Sequence, residues 1–324
     1  MAAAKRRSRF PISPALLRLP HPWPQRVGPK EPAWREGVET VFVANVGAFH
    51  ATNVARVSLP DGTALTRPTK EDRKRIRRLQ ERALFSLTAW STPTLEEHVA
   101  KTRIKHGDYE SAEEEARRRL HRVRSVLRLM KPGPVSLSGT LAYQPGVRFS
   151  ERRPSLWLPG GPLFSAARLD YEFERGDKAI LRQLYDKLAN VPEQARLALR
   201  RFEGAYEREA VQDRLVDHWV ALESLFSKGR EPELRYKFAM RIAYFLERAP
   251  QRRLTLFRGL YDAYQVRSDI LHGTVSKKDM MKAEEVSADA LRRSLRSVVM
   301  EGDPPDADQL DDLAAQGMPR RGPP

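Results

Sequence analysis

The spacing of hydrophobic positions divides the chain into two parts with different periods. In the first part, short apolar runs such as VETVFVANV, VSLSGTLAY and LDYEF are separated by Gly and Pro, and this pattern predicts strands. In the second part, apolar residues recur every three or four positions, which is the period of amphipathic helices. We therefore predict an α+β domain over residues 37–176, followed by an all-α helical bundle over residues 177–300. The chain as a whole is predicted to be mainly helical.

Three segments of the α+β part carry signals for the start of a helix. Thr69, with Asp72 three residues later, predicts the start of a charged helix that runs to about residue 90. Thr94 with Glu97 forms a capping-box pattern and predicts a short second helix. Ser111 predicts the start of a third helix, which ends at the Lys-Pro-Gly-Pro sequence after residue 130.

The core of the predicted bundle is clearest in the helix around residue 220. Its apolar residues are spaced by four, three and four positions and share one face: Leu215, Trp219, Leu222 and Phe226. The following helix has a similar stripe, but Arg241 lies in the middle of it. A buried arginine is costly unless it is paired, and Glu223, at the edge of the first stripe, is its expected partner.

The two ends of the chain have compositions typical of disorder. Residues 1–36 are rich in Pro and Arg, with too few periodic apolar positions to pack. Residues 301–324, EGDPPDADQLDDLAAQGMPRRGPP, are acidic and then basic. We predict a disordered basic arm and a disordered tail. The basic start, MAAAKRRSRF, also allows a mitochondrial presequence.

Composition argues against several classes of protein and of binding site. The chain has no cysteine, which excludes disulfides and thiolate metal sites and fits a cytoplasmic location. No apolar run approaches about 20 residues, so we predict no membrane span. The seven histidines are scattered and no Gly-rich phosphate loop is present, so we predict no metal site and no cofactor. The net charge of +16 permits RNA binding but is spread along the chain and does not define a groove.

The strongest candidate for chemistry is the sequence YDAYQVRSDILHG, at residues 261–273. On an α-helix at about 100° per residue, Ser268 shares a face with aromatic and aliphatic residues, one turn after Tyr264. Arg267 and His272 project from opposite flanks of this face, roughly 140° apart. A cation and a titratable imidazole on either side of a packed face suggest a polar cleft where this helix meets another.

Three runs at these spacings carry a family resemblance: DRLVDHWVALESLF, ELRYKFAMRIAYFL and AYQVRSDILHG. Over about residues 193–282 they resemble the Apea-like branch of the HEPN superfamily, four-helix domains with an Arg and a His four to six residues apart on the last core helix. For catalytic members, the resemblance implies a metal-independent endoribonuclease that acts as a homodimer, with the Arg-His pairs of both subunits in one cleft. It also implies a stress or phage-defence role, and it allows a regulatory or antitoxin protein as a partner.

The resemblance assigns roles to three residues of the last helix. His272 would act as general acid or base in cleavage by the RNA's own 2′-hydroxyl, because an imidazole titrates near neutral pH. Arg267 would contact the phosphate and its transition state, and Ser268 would orient the pair. From the residues alone, the alternative is that His272 ends a helix favourably and that Arg267 forms a surface salt bridge.

Four further residues are supporting candidates, each with a structural alternative. Glu223 and Arg241 could hold helices in register, or Arg241 could line the phosphate cleft while Glu223 orients it. Asp269 could orient the imidazole of the last helix, although we favour exposure to solvent. Tyr264 could stack on a base, although we favour packing in the core.

We therefore hypothesise a metal-independent endoribonuclease that binds RNA and cleaves it with an Arg267–His272 pair. The α+β domain, whose role the sequence does not define, would sense a trigger or restrain activity. The alternative is a non-catalytic HEPN module that binds RNA, a nucleotide or a protein partner through the same cleft. A DNA-binding protein would rest on charge alone, since no recognition-helix motif is present.

Overall fold

The computed structural model of the protein describes residues 34–84, 94–154, 157–158, 171–229, 232–270 and 277–317. In these residues the strands lie before position 176, together with two long helices, and everything after that position that has regular structure is helical. The chain is therefore mainly helical with an N-terminal sheet region, as the periodicity predicts.

The strands of the described residues form a large sheet and a small one. Their bounds are β1 Glu39–Gly47, β2 Phe49–Ala51, β3 Arg56–Ser58, β4 Ala64–Thr66, β5 Val99–Lys105, β6 Ser136–Tyr143, β7 Trp157–Leu158 and β8 Tyr171–Phe173. The large sheet has the order β3-β4-β5-β1-β6-β7 with antiparallel neighbours, and β2 pairs with β8 in parallel.

The helices of the described residues have the following bounds: α1 Lys70–Leu84, α2 Tyr109–Met130, α3 Asp177–Lys187, α4 Glu193–Ala205, α5 Val211–Phe226, α6 Leu234–Leu246, α7 Pro250–Ile270, α8 Lys277–Glu301 and α9 Ala307–Ala315. A 3₁₀ turn at Leu188–Asn190 joins α3 to α4.

The central strand β1 is buried on both faces because a helix covers each side of the sheet. Val41 and Val43 share a cluster with Ile76 of α1. Phe42, whose side chain points to the opposite face, packs with Ala112 and the rest of the first turns of α2. The strand therefore contains a continuous apolar run, VFVA at residues 41–44, rather than a strict alternation.

The predicted capping box at the start of α1 is confirmed. The Asp72 amide donates to Thr69 Oγ1 at 3.2 Å, and Asp72 Oδ2 accepts from the Thr69 amide at 2.8 Å. The short helix predicted at Thr94 is wrong, because the Asn45 side chain supplies the hydrogen bonds instead. It donates to the Thr94 carbonyl at 2.8 Å and accepts from the Glu96 amide at 3.0 Å, which directs the segment into β5.

The helix predicted to start at Ser111 starts earlier, at Tyr109. Asp108 is its N-cap, and its side chain accepts from the Ser111 amide at 2.7 Å. The apolar face of this helix is buried throughout: Leu120, Val123, Leu127 and Met130.

One hydrophobic core crosses the predicted domain boundary at residues 176 and 177. The apolar face of α2 belongs to the same buried cluster as the stripes of α5 and α8. A buried ionic contact joins the same two parts of the chain. Glu203 of α4 accepts from Arg128 Nη1 at 2.6 Å and lies 3.0 Å from Arg124 Nη2, both on α2. The sheet region and the helical bundle are therefore packed together rather than separated by a linker.

The stripe predicted for α5 is confirmed, since its four residues have no exposed surface. The stripe of α6 is also buried around Phe238, and Arg241 in its middle has no exposed surface. Trp219, the largest fully buried side chain of the described residues, lies where α5 meets α7.

The prediction of a disordered tail over residues 301–324 is wrong for residues 307–315, which form α9. Asp306 caps this helix by accepting from the Asp308 amide at 2.9 Å, and Leu310 is buried against the core. Asp311 Oδ1 and Oδ2 accept from Arg241 Nε and Nη2, each at 2.8 Å. The helix is attached to the bundle by the burial of Ala307 and Leu310 and by this ion pair with a buried cation.

The predicted partner of Arg241 is therefore also wrong. Its guanidinium is held by Asp311 and by the Phe226 carbonyl, which accepts from Nη1 at 3.0 Å. Glu223 instead pairs with Arg267 of α7. Hydrogen bonds from Arg241 lower the pKa of Asp311 to about 2, because they stabilise the ionised carboxylate.

We expect Asp311→Asn to lower the free energy of unfolding by roughly 2 kcal/mol at pH 7. Because the folded pKa lies below the unfolded one, this stability is present above about pH 4 and is lost as the pH falls towards 2. Urea unfolding of the wild type and of Asp311→Asn between pH 7 and about pH 2 measures this difference in the free energy of unfolding. Asp312→Asn, at an exposed position of the same helix, is the control. A difference that stays constant with pH would contradict the ion pair.

Candidate functional site

The candidate site lies at the C-terminal end of α7, where this helix packs against α5. Leu260 and Ala263 are buried one turn apart and hold α7 on the bundle. Tyr264 follows on the same side, and its ring meets Trp219 of α5 edge-on, with 4.9 Å between the ring centroids. This contact fixes the register of the two helices and sets Arg267, one turn further on, beside α5.

Arg267 forms an ion pair with Glu223 across the two helices. The distance from Arg267 Nη2 to Glu223 Oε1 is 3.1 Å, and the two side chains are 26% and 27% exposed. The guanidinium also lies 5.2 Å from the centre of the Tyr264 ring, and its Nη1 is 3.5 Å from the Tyr264 hydroxyl. The cation is thus held on two sides and still accessible from solvent.

Burial raises the pKa of Glu223, and the positive charge of Arg267 and a hydrogen bond with Tyr264 act against that rise. Burial also raises the pKa of Tyr264, and the negative charge of Glu223 adds to this effect. The three groups are electrostatically coupled, and a change at Arg267 alters the proton affinity of the other two.

The supporting residues are distributed around this pair. Tyr264 packs against Trp219 and Phe238, and the guanidinium lies over its ring. Ser268 is half-buried on α7, directly after Arg267 in the chain. Asp269 is partly exposed, and its Oδ1 accepts from Gln265 Nε2 at 2.5 Å.

Gln265 connects Asp269 to the neighbouring helix. Its Oε1 accepts from Arg235 Nη1, and Arg235 Nε donates to the Tyr261 carbonyl at 2.9 Å. The Arg235 guanidinium also stacks on the Tyr261 ring, 3.6 Å from its centre. This chain of contacts ties α6 to α7 on the other flank of the helix from the Glu223 pair, and sequence periodicity gives no sign of it.

Two predicted site residues do not take part in the described geometry. His272 lies in residues 271–276, outside the described residues, so its pairing with Arg267 stays a prediction. Arg241 has no exposed surface and is held by Asp311, so the interpretation that it lines a phosphate cleft is wrong. It holds α6, α9 and the end of α5 together instead.

Among the described residues, no three His, Asp or Glu side chains come together in a way that could hold a metal ion. In the same residues, no helix combines the length and the apolar composition needed to cross a membrane. Comparison of the chain with protein-family models, with curated proteins and with solved structures finds no match.

We expect Arg267→Ala to raise the pKa of Glu223 further, because it removes the positive charge that opposes the effect of burial. Arg267→Lys should keep most of that charge and give a smaller rise. Titration of the Glu223 side-chain carbonyl carbon by NMR measures both. Arg258→Ala, which removes an exposed arginine from the same helix, should leave the pKa of Glu223 as in the wild type. Equal values in Arg267→Ala and the wild type would show that the ion pair does not form in solution.

Proposed function

We propose that the protein is a metal-independent endoribonuclease of the HEPN type, with Arg267 and His272 as its catalytic residues. The observation that carries the proposal is the placement of Arg267, which α5 and α7 hold at the end of α7 with about a quarter of its side chain exposed. The three runs that resemble Apea-like proteins lie on α5, on α6 and at the end of α7, and these helices pack on one another. On the same resemblance, we propose a stress or phage-defence role.

The proposed chemistry uses the RNA's own 2′-hydroxyl as nucleophile. The 2′-oxygen attacks the adjacent phosphorus while His272, as base, takes its proton, and the bond from phosphorus to the 5′-oxygen breaks. The products are a 2′,3′-cyclic phosphate and a 5′-hydroxyl, which receives a proton from an imidazolium. Arg267 stabilises the charge that develops on the phosphorane oxygens through planar N–H donors.

Glu223 has a positioning role in this proposal. Its carboxylate contacts one terminal nitrogen of Arg267 and holds the cation beside α5, and the proposal assigns other N–H groups of the guanidinium to a phosphate. The same ion pair favours an alternative function. A guanidinium that is already neutralised suits a non-catalytic module, which binds RNA, a nucleotide or a regulatory protein through this site without cleaving.

Cleavage of labelled RNA in the presence of EDTA tests the proposal. We expect products with 2′,3′-cyclic phosphate ends from the wild type, and rates at least about 100-fold lower for Arg267→Ala and for His272→Ala. Arg258→Ala should cleave as the wild type does. RNA binding by the wild type without cleavage would support the alternative module. Cleavage that persists in both variants would place the active site elsewhere.

We also propose that the active form is a homodimer, because the composite cleft implied by the family needs two chains. An aromatic surface on α6 and α7 supports a subunit contact. Tyr236 is 52% exposed and its ring meets Phe257, which stacks on Tyr261.

Dimerisation makes activity depend on protein concentration. We expect sedimentation to give the mass of two chains at micromolar concentration, and the activity per chain to fall on dilution through the range where the mass falls to one chain. Full activity of a single chain would refute the composite cleft.

A further inference from the structure

The outer face of α1 carries a row of exposed cations. Lys70, Arg73, Lys74 and Arg77 are exposed and lie three or four residues apart, so that neighbours on this face are about 5–6 Å from one another. None of the four forms an ion pair with the described residues. Arg75, on the inner face, is paired instead, because its Nε lies 2.6 Å from Glu71 Oε1.

This face borders a shallow depression in the surface. Its volume is about 360 Å³, and five of its six lining residues are cations: Lys70, Arg73, Lys74, Arg77, Arg78 and Glu81. The dense row of positive charge concentrates anions at this place, in contrast to the spread of charge along the rest of the chain.

A loop beside the depression presents an exposed aromatic ring. Phe149 is 61% exposed, the largest value among the large hydrophobic residues described. Its φ of +59° is a backbone conformation that bulky side chains rarely adopt. Neither core packing nor backbone preference accounts for a phenylalanine here, and strain of this kind is often found at sites of recognition. Arg148, the preceding residue, is also exposed.

Hydrogen bonds close the loop and attach it to α1. Ser150 Oγ accepts from the Gln144 amide at 3.0 Å and closes the loop on itself. Arg75 of α1 donates to the Val147 carbonyl at 2.9 Å and to Glu151 at 2.8 Å. Glu151 also lies 3.6 Å from Arg78, which lines the depression. The loop is therefore fixed to α1 through Arg75 and Arg78, and Arg78 connects it to the lining of the depression.

We propose that the outer face of α1 and the Phe149 loop together bind single-stranded RNA. Successive phosphates contact Arg73, Lys74 and Arg77, and an unpaired base stacks on the Phe149 ring. Positive grooves with an adjacent aromatic ring bind single strands in this way, because in a duplex the faces of the bases are already stacked. The choice of RNA over DNA rests on the proposed ribonuclease function. The proposal that this surface binds a single strand does not depend on that function.

Binding is measured on the full chain by fluorescence anisotropy with a labelled 2′-O-methyl oligouridine, which cannot be cleaved through its 2′-oxygen. The triple variant Arg73→Ala, Lys74→Ala, Arg77→Ala should bind at least about tenfold more weakly. The slope of log affinity against log salt should become shallower by about 2, since each phosphate contact contributes about 0.7 for a single strand. A control that also loses three charges, Arg200→Ala, Arg252→Ala, Arg258→Ala, takes exposed arginines from α4 and α7 and should retain the affinity of the wild type.

Phe149→Ala tests the stacking contact separately. We expect roughly tenfold weaker binding with an unchanged salt slope, because stacking involves no charge, and recovery of binding in Phe149→Trp. Thermal unfolding of each variant checks that the fold is retained. Equal losses in the two triple variants, or wild-type affinity in Phe149→Ala, would overturn the proposal. Tighter binding of a DNA oligonucleotide or of an acidic peptide would overturn the assignment to RNA.

The results of these experiments distinguish failure of the proposed binding surface from failure of the proposed ribonuclease function. Binding that depends on the α1 face without any cleavage of natural RNA leaves the inference standing and refutes the nuclease. Cleavage that depends on Arg267, with no contribution from the α1 face to binding, refutes the inference alone.

Discussion

The edge-on contact between Trp219 and Tyr264 is the interaction on which the candidate site depends. It joins α5 to α7, and each partner lies about one helical turn from a charged residue of the site. Glu223 follows Trp219 by four residues, and Arg267 follows Tyr264 by three. The ion pair therefore forms because two hydrophobic helix faces meet in one register, and an α7 rotated by a single residue would separate the two charges.

Buried arginines have a structural function in this bundle. Arg241 joins α6 to α9 through both oxygens of Asp311, and Arg128 joins α2 to α4 through Glu203. A planar guanidinium can satisfy several acceptors at once, which suits a cation that has lost contact with water. Such pairs fix which helices are neighbours, because a mismatched arrangement would leave a charge buried without a partner.

Several features set by local sequence could be predicted, although the capping pattern at Thr94 failed because Asn45, a distant residue, supplies the hydrogen bonds there. Features set by long-range contacts could not be predicted. The stripe of α5 and the capping box of Thr69 follow from spacing alone, and both are as expected. The partner of Arg241 could not be found in this way, because Asp311 is 70 residues away and lies in a segment whose composition resembles disorder. Part of the candidate site could be predicted. The helix and the position of Arg267 follow from the spacing of residues in the sequence, whereas the contact with Glu223 depends on how α5 and α7 pack.

The unbroken core has a consequence for how the two halves of the chain influence each other. Buried residues from Ala44 of β1 to Leu310 of α9 belong to one cluster, and α2 is shared by the sheet and the bundle. Because the two halves share this core, loss of either one would expose buried apolar surface of the other. A ligand that binds only the folded sheet would therefore also stabilise the helical bundle against unfolding, so coupling between distant surfaces needs no moving part.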